Sequence, residues 1–176
     1  DHQEVLHLLE DGPRPLTALV EEIHYGSLAL RRLEELESRR LVLRSGFTPT
    51  DALHILGIFR RWDDEAARLG AQMLAARLGV SVEALCQRVT SGVSDRVTTA
   101  LVSKVLSDEV ALPDWEGEPA AAAMLERALG NCAASDLSCQ LALRQPVVAV
   151  GAPVSAYMPR VADQLSTELV IPEHAG

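Results

Sequence analysis

Apolar residues recur along the chain with a helical period first and an alternating period later, and the switches between the two mark its parts. "QEVLHLLEDGP" carries Val5, Leu6, Leu8 and Leu9 and stops at Gly12-Pro13, as a short helix does. "PLTALVEEIHYGS" predicts a second helix, closed by Gly26. Ser27 can cap a third, "LALRRLEELESRR", whose apolar stripe is Leu28, Leu30, Leu33 and Leu36. The pattern then shortens: "LVLRSGFT" reads as a strand, a Ser-Gly turn and a short returning strand. Helix–helix–helix–hairpin is the order of a winged helix, and it defines a first, winged-helix-like module over residues 1–47.

Helical spacing returns after it. "DDEAARLGAQMLAARLG" opens on acids that suit a helix N-terminus and closes with Gly79. "SVEALCQRV" starts anew with Ser81 as cap, and its propensity continues to "TTALVSKVLSDEV", with Gly92 as the point of interruption. "LPDWEGEP" is a loop dense in turn formers, and "AAAAMLERALG" is a helix ending at Gly130. From there the period is two. Leu137, Cys139, Leu141 and Leu143 alternate as in a strand, and "PVVAVGAP" is a β-branched buried strand that breaks at Gly151. "SAYMPRVADQL" is the next helix and "ELVIP" another buried strand. Strand–turn–helix–strand is a βαβ unit of a parallel sheet. The fold class is thus α+β and mostly helical, with a second region over 48–176 that is helical over 48–130 and βαβ over 137–172. A sheet needs more strands than this, so the region reads as part of a larger domain.

Composition narrows the function. Apolar content is 48% but aromatic content only 3%, which leaves the core to Leu, Val and Ala. No uncharged apolar run approaches the roughly 18–20 residues of a membrane span, and the start has no signal-peptide pattern. Cys86, Cys132 and Cys139 are odd in number and lack CxxC spacing, which predicts neither a disulfide scaffold nor a zinc ribbon and points to a cytoplasmic setting. Arg31, Arg32, Arg39, Arg40 and Arg44 are the candidate phosphate contacts of a winged helix. Yet residues 1–61 hold 8 arginines and no lysine against 10 acids, and Glu34, Glu35 and Glu37 would face the same phosphates. With a net charge of −9, a nucleic-acid partner is disfavoured against a docking or regulatory module.

Two stretches carry candidate chemistry. In "GFTPTDALHILG", Thr48-Pro49-Thr50-Asp51 has the form of a capping box with proline at the first helical position. Continued at about 100° per residue, the helix groups Ala52, Ile55, Leu56, Phe59 and Trp62 on one side and His54, Gly57 and Arg61 on the other. His54 then faces solvent or a cleft and is not a core histidine, and Asp51 with His54 is a candidate catalytic pair. As a metal site the pair lacks a third ligand, and no metal is assigned. In "VVAVGAPVSAYMPRVADQL" a strand ends, the backbone bends at Gly151 and a helix begins near Ser155. Gly151, Ala152 and Pro153 are the candidate nucleotide-binding residues of that turn.

Taken together, the two stretches resemble the ATP-dependent hydantoinase and oxoprolinase family of the actin and hexokinase-like ATPase superfamily. Thr48, Thr50, Asp51, Ala52, Leu56 and Gly57 fall without a gap on the family's T-V-T-D-A-N-L-V-L-G segment, with Leu53 in place of its asparagine. Gly151, Pro153, Pro172 and Gly176 fall on its late segment, the adenosine side of the ATP cleft, with one glycine in a turn where the family has several. The resemblance covers about half the chain, chiefly 47–62 and 146–176. It implies that 48–176 is a partial actin-like ATPase domain from the C-terminal part of a cyclic-amide hydrolase. The implied cofactors are ATP and Mg²⁺, and the partners a nucleotide, a small cyclic amide and a further subunit or second copy. Phosphorylation of the amide oxygen would open the carbonyl carbon to water. The family's D-x-G-G-T phosphate segments are absent from these residues, which predicts that they are inactive alone.

Overall fold

The structure, a computed structural model, describes residues 2–12, 14–23, 26–61, 64–110, 115–132 and 134–174, apart from the side chains of 26–28. Trp62, the stretch 112–114, Gly176 and the side chains of the predicted cap Ser27 and of Leu28 lie outside the described residues. The chain forms two compact units, Asp1–Gly46 and Phe47–Gly176.

The first unit holds three helices, α1 (His2–Leu8), α2 (Leu16–Glu22) and α3 (Gly26–Ser38). Gly26 opens α3 and does not close α2, which gives way to extended backbone at Ile23. Val5, Leu19, Ile23, Ala29, Leu33 and Leu36 make the buried core. The inward line of α3 is therefore Ala29, Leu33 and Leu36, spaced by four and three as one helical face requires, and Leu30 is exposed. The helix closes with Leu41 N–H donating to Leu36 O and Arg40 N–H to Glu37 O. That is a Schellman closure with an arginine, φ 58°, in the left-handed position where glycine is usual.

The predicted hairpin does not form. Residues 41–48 enter no ladder, Leu43 is 88% exposed, and only Val42 of "LVL" packs on the helices. Two arms of about three residues, with one inward side chain, bury too little to hold a hairpin. The described part of this unit is a three-helix cluster with an extended tail, without the wing of a winged helix.

The second unit is arranged around one long helix. In chain order it contains α4 (Pro49–Ile55), α5 (Glu65–Leu78), α6 (Val82–Val110), a 3₁₀ turn (Trp115–Gly117), α7 (Pro119–Ala128), β1 (Val147–Val148), α8 (Val154–Gln164) and β2 (Leu169–Val170). Ser81 caps α6 by accepting from Ala84 N–H, and Gly79 and Gly130 end their helices, as the sequence predicts. Gly92 does not interrupt α6, which runs unbroken for 29 residues. At 1.5 Å per residue that is roughly 43 Å, enough to support two separate packings. Along its first half, α4 and α5 bury Ala52, Ala71 and Ala75 with Leu85 and Cys86. Along its second half, Val97, Leu101 and Val102 border a cluster of Ala149, Met158, Val161 and Leu165 from the strand–helix unit.

β1 and β2 pair in parallel, Val147 with Leu169 and Val148 with Val170, with α8 as the crossover. The two predicted buried strands are corrected in one respect. They are short and covered on one face only: Ala149 is buried while Val148 is 61% and Val150 69% exposed. The segment 137–143 forms no strand. Cys139, Leu141 and Leu143 turn partly inward, and Leu143 N–H to Leu165 O and Gln140 Nε2 to Ser166 Oγ tie the segment to the crossover helix's end. The described chain is thus α+β and mostly helical. Among the described residues, no single helix is long and apolar enough to cross a membrane.

Candidate functional site

The capping box at the start of α4 is complete. Asp51 N–H donates to Thr48 Oγ1 at 3.3 Å, and the Asp51 carboxylate accepts from Thr48 N–H at 2.7 Å and from the Thr48 hydroxyl at 2.7 Å. Pro49 occupies the first helical position, where its missing N–H has no intrahelical partner to lose. Asp51 therefore holds the helix end through its carboxylate.

His54 is the main correction to the sequence expectation. It does not face solvent or a cleft: it is 5% exposed. Its Nδ1–H donates to Thr50 O at 2.8 Å, and its Nε2 accepts from Arg61 N–H at 3.4 Å. Phe59 stands edge-on to the ring, centroids 5.4 Å apart. The face that carries His54 does not stay open, because α4 stops at Ile55. Gly57, at φ 71°, lets the chain reverse so that Ile58 N–H reaches back to Leu53 O. The following residues then fold over the face that a longer helix would have left open. Asp51 and His54 are thereby committed to a cap and to backbone groups, and they do not form a bonded acid–histidine dyad.

The second stretch is open. Gly151 follows the carboxyl end of β1 at φ 107°, exposed, with no heavy atom within 4 Å of where a Cβ would stand. Ala152 is exposed as well, the Ala152–Pro153 peptide is cis, and Pro153 precedes α8. Val154 N–H donates to Gly151 O and Ala156 N–H to Pro153 O. Since Pro153 has no N–H, the bend is poor in the donors a phosphate would use. The two stretches are not brought together: α4 belongs to the cluster on the first half of α6, and the Gly151 turn to the unit on its second half.

A group that sequence reasoning missed lies between α6 and α8. The Ser94 hydroxyl donates to Tyr157 O at 3.0 Å, and the Thr98 hydroxyl to Gln164 Oε1 at 2.6 Å. Ser94 and Thr98 are both buried. Asp95 Oδ1 accepts from Gln164 Nε2 at 2.7 Å and from Arg160 Nη2 at 3.1 Å, while Asn131 Nδ2 reaches Asp95 Oδ2 at 3.4 Å. Gln164 Nε2 and Arg160 Nη2 also donate to Leu129 O, which ends α7. The available signal was spacing: Ser94 and Thr98 lie four apart on α6, as Arg160 and Gln164 do on α8, and each pair shares a helix face.

Burial raises the Tyr157 phenol and the Cys86 thiol above their ordinary values. Asp64, at the start of α5, is held below the carboxylate range chiefly by its hydrogen bond from Arg68. A cleft of about 850 Å³ opens between the last turns of α6 and residues 142–148. None of Asp51, His54, Gly151, Ala152 or Pro153 lines it. Among the described residues, no group of three His, Cys, Asp or Glu side chains is placed to hold a metal ion. Comparison with family models, curated proteins and solved structures finds no match to this chain.

Proposed function

We propose that the chain is part of an ATP-dependent cyclic-amide hydrolase of the hydantoinase and oxoprolinase type, and that Phe47–Gly176 contributes the adenosine side of its nucleotide cleft. The observation that carries this reading is the Gly151 bend. It sits past the carboxyl end of a parallel strand, at the start of the crossover helix, with its backbone open. Ligands of open α/β sheets lie outside the carboxyl ends of the strands. Pro153, which has no N–H to offer a phosphate, supports contact with the nucleoside. The uncovered valines of the sheet support a further layer packed on that face in the whole protein, because parallel sheets are ordinarily covered on both faces. Bound ATP would supply activation of the amide oxygen, and Mg²⁺ neutralisation of the phosphates. The residues described here would orient the adenosine. In that role Asp51 and His54 are structural, Asp51 holding the start of α4 and His54 the chain that follows its end.

A second reading gives the Asp1–Gly46 unit a docking role toward a partner subunit. Leu41 and Leu43 are exposed next to a groove of about 220 Å³ lined by Leu9, Leu16, Leu19 and Leu33. Against DNA binding, Arg31, Arg32 and Arg44 lie within ion-pair distance of Glu35, Glu4 and Glu37.

The test is calorimetric titration of ATP into the full-length protein and its Gly151→Val variant. A valine at φ 107° must distort the bend and would project into the open space. At least about a tenfold loss of affinity, equivalent to roughly 1.4 kcal/mol, is expected with an unchanged far-ultraviolet spectrum. Unchanged affinity would sink this placement of the nucleotide.

A further inference from the structure

The polar bonds between α6 and α8 are more than packing requires. α8 already rests on α6 through Met158, Val161 and Leu165, which are apolar and need no polar partners. Beside them runs a line of Ser94, Asp95 and Thr98 facing Tyr157, Arg160 and Gln164. Apolar contact is tolerant of small slides and rotations, whereas directional bonds hold in one register only. Asp95 is the hub. One carboxylate oxygen receives both Arg160 and Gln164, and the same two side chains reach Leu129 O. The line thus ties α8 to both α6 and the end of α7. α8 starts directly from the bend that precedes it and carries Pro159 inside it, with Ser94 on Tyr157 O before that proline and Asp95 on Arg160 and Gln164 after it, and Gln164 lies about 15 Å along the axis from Val154 at 1.5 Å per residue. Fixing the rotation and height of α8 therefore fixes where the backbone of Gly151 to Pro153 stands.

We propose that Asp95, with Thr98, Arg160 and Gln164, is a positioning group that sets the Gly151 bend through α8. Its consequence for nucleotide affinity rests on the function proposed above.

Amide hydrogen exchange and ATP titration on the full-length protein test it, using Asp95→Ala and Asp95→Asn. Alanine removes the shared acceptor. Asparagine keeps an oxygen for Gln164 and Arg160. In Asp95→Ala, exchange of the amides from Gly151 to Tyr157 should accelerate about tenfold, the scale of one lost bond to a charged group, and ATP affinity should fall severalfold. Asp95→Asn should stay near the parent in both. Leu85→Ala, on the other half of α6, serves as the control: it lowers global stability, and the exchange of the bend should not accelerate with it. Should Asp95→Ala fail to fold, Thr98→Val removes one bond of the same group, and Thr98→Ser should restore it. Unchanged exchange at the bend in the alanine or valine variant overturns the proposal. Exchange that accelerates in a protein that binds no ATP upholds the positioning group and rejects the nucleotide reading instead.

Discussion

Along its first half α6 packs with Leu85 and Cys86 against the alanines of α4 and α5, and every buried side chain in that cluster is apolar. Past Gly92 it buries Ser94 and Thr98 and presents Asp95 to α8. One helix thus uses two means of holding its neighbours. Small apolar side chains let α4 and α5 approach closely and gain from burial, which scales with area and is indifferent to direction. Polar partners add little net stability per bond but fix the register, and they are costly to leave unpaired. The first half accordingly reads as a foundation and the second as an alignment device for the Gly151 bend.

The largest expected effect lies in the apolar half. Leu85→Ala deletes a buried side chain from a cluster that is otherwise mostly alanine, with little slack to collapse. A loss of about 2–5 kcal/mol is expected from chemical denaturation. A loss under about 1 kcal/mol would mean that α4 and α5 are not anchored on α6 as described. In the polar half, Thr98→Val keeps the shape and removes the donor to Gln164 Oε1. The cost should be smaller, about 1–3 kcal/mol. Equal costs at the two sites would erase the distinction between the halves.

What the sequence made legible follows the same division between local and distant causes. The capping box at Thr48 and Asp51, the Ser81 cap and the glycine ends at Gly79 and Gly130 depend on residues a few positions apart, and each stands in the structure. The parallel βαβ unit was also legible, because its apolar runs flank a glycine bend. The hairpin at 41–48 and the strand at 137–143 were not, since alternation describes a strand's faces and says nothing of whether an edge is there to pair with. The environment of His54 was misread because one residue, Gly57 in the left-handed region, ended the helix on which the wheel was drawn. Ser94, Asp95 and Thr98 carried no signal beyond the four-residue spacing of Ser94 and Thr98, because polar residues on a long helix read by default as its solvent face. Only the arrival of α8, some 60 residues later, makes them interior.

The smallest expected effect falls where the two halves meet. Gly92 lies inside α6, between the apolar cluster and the polar line, in ordinary helical conformation. A Cβ there would meet nothing within 4 Å. Glycine in a helix interior costs about 0.5–1 kcal/mol relative to alanine, through backbone entropy lost on folding. If α6 is a single rigid rod joining its two packings, Gly92→Ala should raise stability by about that amount. It should also slow amide exchange on both sides of residue 92. If Gly92 is instead a hinge that lets the halves move separately, the alanine would stiffen a motion the protein uses. Stability would then still rise, but ATP affinity of the full-length protein would shift along with it. Measured together, denaturation midpoint and nucleotide affinity separate the rod from the hinge, and the unbroken helix with its open space at Gly92 favours the rod.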